Sequence, residues 1–191
     1  MKRMQLTLRG ERDYVQAASI FDSILTIRNL DEGKIKNIDF SMRRFTNKQC
    51  SLITKYKSEI DERKIIGDYQ DASGKIKIIE LKEEIKVRFP YQEYEITDQC
   101  SIHEKTISIP DIVAEYTFIE KLIAAYKVLL QTLFGSSGNF FFFIRLTLDY
   151  IPIGSFDITY DRIISNKYYQ GTITKQGGNK IGSIFFGVKK S

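Results

Sequence analysis

Asp13-Tyr14-Val15-Gln16-Ala17-Ala18-Ser19-Ile20-Phe21-Asp22-Ser23-Ile24-Leu25 lies without a gap on Asp111-Ile112-Val113-Ala114-Glu115-Tyr116-Thr117-Phe118-Ile119-Glu120-Lys121-Leu122-Ile123. Apolar residues recur at helical spacing in both stretches, and Asp, Val, Ser/Thr and Asp/Glu fall in register with them. Further along, Ile38-Asp39-Phe40-Ser41-Met42 matches Ile144-Arg145-Leu146-Thr147-Leu148, and Cys50-Ser51-Leu52-Ile53 matches Phe156-Asp157-Ile158-Thr159. A chain that repeats itself in this way is expected to fold as two related halves, 1–100 and 101–191, packed as one compact domain. The offset grows between helix and strands, so the second helix and its loop are the longer.

Outward from the helices, each half reads as a strand, a helix and then antiparallel strands. In the first half the spacing predicts a strand over 4–8, a helix over 13–26 with Asp13 as N-cap, and strands over 35–46, 50–56, 65–71, 75–81 and 84–96. Asp71-Ala72-Ser73-Gly74 is a hairpin turn between two of them. In the second half, 105–109 is a strand and 110–133 a helix with Pro110 at its first position. Strands follow over 140–150, 156–163, 168–175 and 180–188, with Gln176-Gly177-Gly178-Asn179 as a hairpin signal. The run Phe140 to Phe143 reads as a strand buried on both faces.

Composition narrows the class. The chain has 191 residues, 42% hydrophobic and 28% charged, with three prolines, so a folded globular protein is expected. There is no signal-peptide pattern behind Met1-Lys2-Arg3, and the apolar stretch 112–134 carries Glu115, Glu120, Lys121 and Lys127, each costly in hydrocarbon. No membrane span is expected. Cys50 and Cys100 are isolated, which gives neither a metal site nor a disulfide framework and suits a reduced, cytoplasmic setting. The excess of 29 Lys and Arg over 24 Asp and Glu is spread along the chain, and no basic block with interleaved aromatics points to nucleic acid. Phosphate-cradling glycine loops and the Gly-x-Ser-x-Gly elbow are absent, and no cofactor is implied.

A strand, a buried helix and a run of antiparallel strands resemble the hotdog fold, in which a sheet wraps a central apolar helix. The expected fold class is therefore α+β, with two hotdog-like units packed as a double hotdog. One large curved sheet around a single long helix would also bury 112–134. Hotdog proteins commonly bind acyl thioesters of coenzyme A or of an acidic acyl carrier protein. The resemblance thus implies acyl-CoA or carrier-protein partners and either dehydratase-like or thioesterase activity. Exposed sheet edges invite a homodimer, unless the two halves already pair with each other.

The dehydratases of this kind place a His before a Pro-Gly helix start and a carboxylic acid two turns inside the helix. His103, Pro110 and Glu115 fall in a similar order, with Asp111 where Gly is expected. His103 would act as base and Glu115, in apolar surroundings, as acid. By the same resemblance each cleft would draw its His from one unit and its carboxylate from the other. Ala17 stands where His103 would need an acid, and no His lies near 5–9 for Glu115. In a thioesterase, a helix carboxylate activates water, and Asp22 and Glu120 occupy matching repeat positions for that role. The alternative is a non-catalytic binding or assembly module that keeps the fold without an acid/base pair.

Overall fold

The computed structural model describes residues 1–30, 35–54, 61–111, 115–135, 137–175 and 178–190. The chain divides into two compact units, Met1–Tyr91 and Gln92–Ser191. The boundary lies before residue 100 because 92–100 belong with the second helix. A one-turn helix there presents Glu93 to Lys127, and Glu95 accepts a hydrogen bond from the Tyr116 hydroxyl.

In the first unit, β1 (Lys2–Arg3), β3 (Lys36–Met42), β4 (Lys48–Ile53), β5 (Ile65–Asp71) and β6 (Gly74–Glu84) form antiparallel ladders in the order β1-β4-β6-β5-β3. The pairing of Asp71 with Gly74 closes the expected two-residue hairpin. Helix α1 (Ala17–Arg28) lies on this sheet through Ala18, Ile20, Phe21, Ile24 and Leu25, all buried. The Phe21 ring centroid is 5.4 Å from Phe40 of β3 and 6.1 Å from Tyr69 of β5, at the spacing aromatic pairs prefer.

In the second unit, β8 (Ser101–His103), β9 (Thr106–Ile109), β10 (Asn139–Tyr150), β11 (Phe156–Ile164), β12 (Tyr168–Lys175) and β13 (Lys180–Lys190) are antiparallel in the order β10-β13-β12-β11-β9-β8. Helix α3 (Phe118–Phe134) sets Phe118 against Phe156 and Tyr126 against Phe186, with ring centroids 5.0 and 5.3 Å apart. Helix α2 is the turn Tyr94–Thr97.

Both helices start later than their periodicity predicts. Asp13 is not a cap: the Val15 amide donates to the Thr46 carbonyl at 2.8 Å, which holds the chain extended as far as Gln16. In the second unit Pro110 does not open the helix either. Thr117 and Glu120 form a capping box that starts α3 at Phe118, and this reciprocal pair satisfies two orphan amides where proline can satisfy none. The helices therefore begin 101 residues apart, three more than the residue-by-residue pairing of Asp13 with Asp111 implies. Ile112, Val113 and Ala114 lie outside the described residues, as do Asp31-Glu32-Gly33, Ser136 and the Gln176-Gly177 half of the second hairpin signal.

Three strand expectations are corrected. Residues 84–96 do not form one strand: β6 ends at Glu84, and β7 (Arg88–Phe89) and α2 follow, because Pro90 has no amide for a ladder. The segment around His103 is not a linker but a β-hairpin, β8–β9, turned at Glu104 with a left-handed φ of 51°. The phenylalanine run is buried on one face only, with Phe141 and Phe143 inside while Phe140 is 45% exposed.

The N-terminal segment shows how a side chain can replace a strand partner. Met4, Leu6 and Leu8 are buried and alternate with outward residues, as the period of two predicts. Yet the regular ladder is confined to β1 and to β2 (Leu8–Arg9), which pairs in parallel with β7. Between them the Gln49 amide stands in for backbone: its Oε1 accepts from the Leu6 amide at 2.9 Å and its Nε2 donates to the Leu6 carbonyl at 3.0 Å. Gln49→Ala strands both Leu6 groups, and urea unfolding is expected to show a loss of about 2 kcal/mol. A loss under about half a kcal/mol would mean that water replaces the amide at no cost.

Candidate functional site

The outward residues of the N-terminal segment, Arg3, Gln5, Thr7 and Arg9, face a polar stripe on α1. Ser19, Asp22, Ser23, Thr26 and Ile27 follow the i, i+3, i+4, i+7, i+8 pattern and so share one helix face. The two rows enclose a cleft of about 420 Å³ within the first unit. Its geometry follows directly from two periods, since alternation turns Met4, Leu6 and Leu8 into the core and leaves the intervening polar residues for the cleft.

Lys2 closes one end by donating to the Ile27 carbonyl at 3.4 Å, near the negative end of the helix dipole. Arg3 pairs with Glu83. Thr26 Oγ1 donates to the Asp22 carbonyl at 2.9 Å, which holds that hydroxyl on the helix. Asp22 is half-buried in the wall. Ser19 is 6% exposed, and its hydroxyl finds no hydrogen-bond partner among the described residues. A buried hydroxyl in that state carries a desolvation cost that a ligand could relieve.

The other candidate residues lie elsewhere. Glu120 is 4% exposed and committed to the capping box, where Oε2 accepts from the Thr117 amide at 2.8 Å. Glu115 is not inside the helix among apolar neighbours; it is exposed, in the turn that precedes α3. His103 is exposed at the end of β8. Among the described residues no hydrogen bond joins His103 to Glu115. Asp22 belongs to the first unit and the other three to the second.

Neither cysteine offers a nucleophile. Burial, with Glu80 adding to it, pushes the Cys50 thiol up to about 12, and burial pushes Cys100 up to about 11, so both stay protonated at neutral pH. No group of His, Cys, Asp and Glu side chains among the described residues could hold a metal ion. No helix among them is long and apolar enough to cross a membrane. What reading the sequence missed was the cleft itself. The stripe at 19, 22, 23 and 26 is visible in the sequence, but only the fold sets it against Arg3, Gln5, Thr7 and Arg9.

No protein-family model matches the chain, and no curated protein matches its sequence. Among solved structures, the tesB protein MAP1729c of Mycobacterium avium subs paratuberculosis is similar at a TM-score of 0.50 and 7% identity, over 98% of this chain and 92% of that one. A dehydratase domain from the CurF module of Curacin polyketide synthase is similar at 0.48 and 8% identity, over 93% and 84%. The dehydratase domain of RzxB from Pseudomonas fluorescens follows at 0.43 and 9%, over 92% and 85%. The fold assignment rests on the first of these, together with a buried helix laid on an antiparallel sheet in each unit. The chain has a hotdog-like fold.

Proposed function

We propose that this chain binds an acyl thioester in the cleft of the first unit and hydrolyses it with Asp22 as the general base, the two units standing as a double hotdog. The observation that carries the reading is the convergence of a half-buried carboxylate, hydroxyls and two guanidinium groups on one cleft beside a hotdog helix. Asp22 takes a proton from water as the water oxygen attacks the thioester carbonyl carbon. Ser23 and Arg9 are placed along the same walls to donate to the oxyanion. Collapse of the adduct breaks the carbon–sulfur bond, and the leaving thiolate recovers the proton from Asp22. The acyl group would arrive on coenzyme A or on an acidic carrier protein.

A second reading, a binding module without catalysis, is favoured by the second unit. There Glu120 is spent on its helix cap, and His103 and Glu115 stand exposed and unjoined. Asp22→Asn decides between them. Against a panel of acyl thioesters, the hydrolytic reading expects kcat to fall by about 10² or more while KM changes little. Thioester binding with no turnover in the unaltered chain selects the binding module. An absence of both turnover and thermal shift with every thioester overturns the two together.

A further inference from the structure

One wall of the cleft continues into a small ribbon with a different character. Strands β2 and β7 pair in parallel, Leu8 with Arg88 and Arg9 with Phe89. Paired residues on neighbouring strands leave the sheet on the same face, so Phe89 stands beside Arg9, which lines the cleft. The Leu8 amide donates to the Val87 carbonyl at 3.0 Å, which extends the ribbon by a residue. Phe89 is 56% exposed and Val87 is 54% exposed, a large apolar surface at the mouth of a polar cleft.

The surroundings of Phe89 are cationic and held in place. The Arg9 and Arg12 guanidinium carbons each lie 5.8 Å from the centroid of the Tyr91 ring. Arg88 donates to the Gly10 and Arg12 carbonyls and so ties the loop after β2 to β7. Gly10 has a φ of 58°, and a Cβ there would stand 3.3 Å from the Tyr91 carbonyl oxygen, so the loop sits close against its partner. Lys86 is exposed next to Val87, and Glu11 is the acid in the same loop. An exposed ring among fixed cations suits a ligand with a flat heteroaromatic face and anionic oxygens.

We propose that the β2–β7 ribbon is the subsite for the adenine nucleotide of a coenzyme-A-type thioester. Phe89 stacks on the base, and Arg9, Arg12 and Lys86 surround the phosphates. This rests on the thioester reading of the adjoining cleft and chooses between the two carriers left open there. A carrier protein would deliver the acyl group on a phosphopantetheine arm with no base to stack.

The test compares binding of butyryl-CoA with that of butyryl-pantetheine, which lacks the nucleotide, by calorimetry on the full chain. The unaltered protein is expected to prefer butyryl-CoA by about tenfold or more, the worth of one base–aromatic stack. In Phe89→Ala that ratio falls toward one, and in Phe89→Tyr, which keeps the ring, it returns. Added salt narrows the preference, because the phosphate contacts are screened. Equal affinities in the unaltered chain, a ratio that Phe89→Ala leaves in place, or a preference for a butyryl carrier protein each overturn the subsite while the cleft reading stands. Failure of both ligands to bind overturns the cleft reading and the subsite with it.

Discussion

Asp71→Ala is expected to lower the stability of the first unit by about 3–5 kcal/mol, because it leaves a guanidinium buried without its counter-charge. The Asp71 carboxylate closes a network at the end of α1. Arg28 Nη1 donates to its Oδ2 at 2.7 Å and the Tyr69 hydroxyl to the same oxygen at 3.1 Å. The Ser73 amide and hydroxyl donate to Oδ1 at 2.8 and 2.6 Å. Arg28 also lies over the Tyr69 ring, 5.7 Å from its centroid, so the pair has little water to fall back on. Removing charge from both sides with Arg28→Met and Asp71→Leu is expected to cost much less than Asp71→Ala alone, and urea unfolding of the three variants tests that ordering. Equal losses for the single and double variants would refute the role assigned to the charge.

The same network sets a pH dependence. Burial pushes the Asp71 carboxyl up, but the Ser73 hydrogen bonds, Arg28 and Tyr69 outweigh it and hold the group below its ordinary value. Its folded value is therefore the lower one. The stabilisation is complete above the ordinary carboxylate range and is lost as pH falls through about 4 and below. The gap between the unaltered chain and Asp71→Asn is expected to narrow with acid and to stay level between about pH 6 and 8.

Gly182→Ala is expected to cost the second unit about 3 kcal/mol or more. Gly182 lies in β13 and pairs with Leu148 on one side and Ile173 on the other. A Cβ there would stand 2.1 Å from the Thr147 carbonyl oxygen and 2.7 Å from Leu148 Cδ2. A side chain can swing aside, but a carbonyl oxygen within a sheet moves only if the ladder opens. Gly171→Ala makes a useful contrast, since its Cβ would meet the Tyr126 ring at 2.6 Å, a side chain and not backbone. Thermal unfolding is expected to rank Gly182→Ala as the more damaging, and the reverse order would mean that the sheet yields more easily than the Tyr126 packing.

Local periodicity reached a long way into this fold. Strands β5 and β12 fall on the residues their alternation marks, the Asp71–Gly74 hairpin closes where its turn residues predict, and α1 and α3 bury the apolar faces that their spacing defines. These features need only information from neighbouring residues, because backbone sterics and a buried face act over one or two turns. The capping box Thr117-Phe118-Ile119-Glu120 was equally local and could have been read. Its neglect placed Glu115 inside a helix that begins three residues later.

What tertiary structure alone decided joins residues far apart in the chain. Gln49 serves as a backbone partner for Leu6, Arg28 meets Asp71, and the stripe Ser19-Asp22-Ser23-Thr26 becomes a cleft when Arg3, Gln5, Thr7 and Arg9 are laid against it. Each depends on a register between distant segments, and a shift of one residue in that register would turn the opposite set of side chains toward the partner. The apolar pattern determines which faces must be buried; the way those faces are then paired brings the polar groups together.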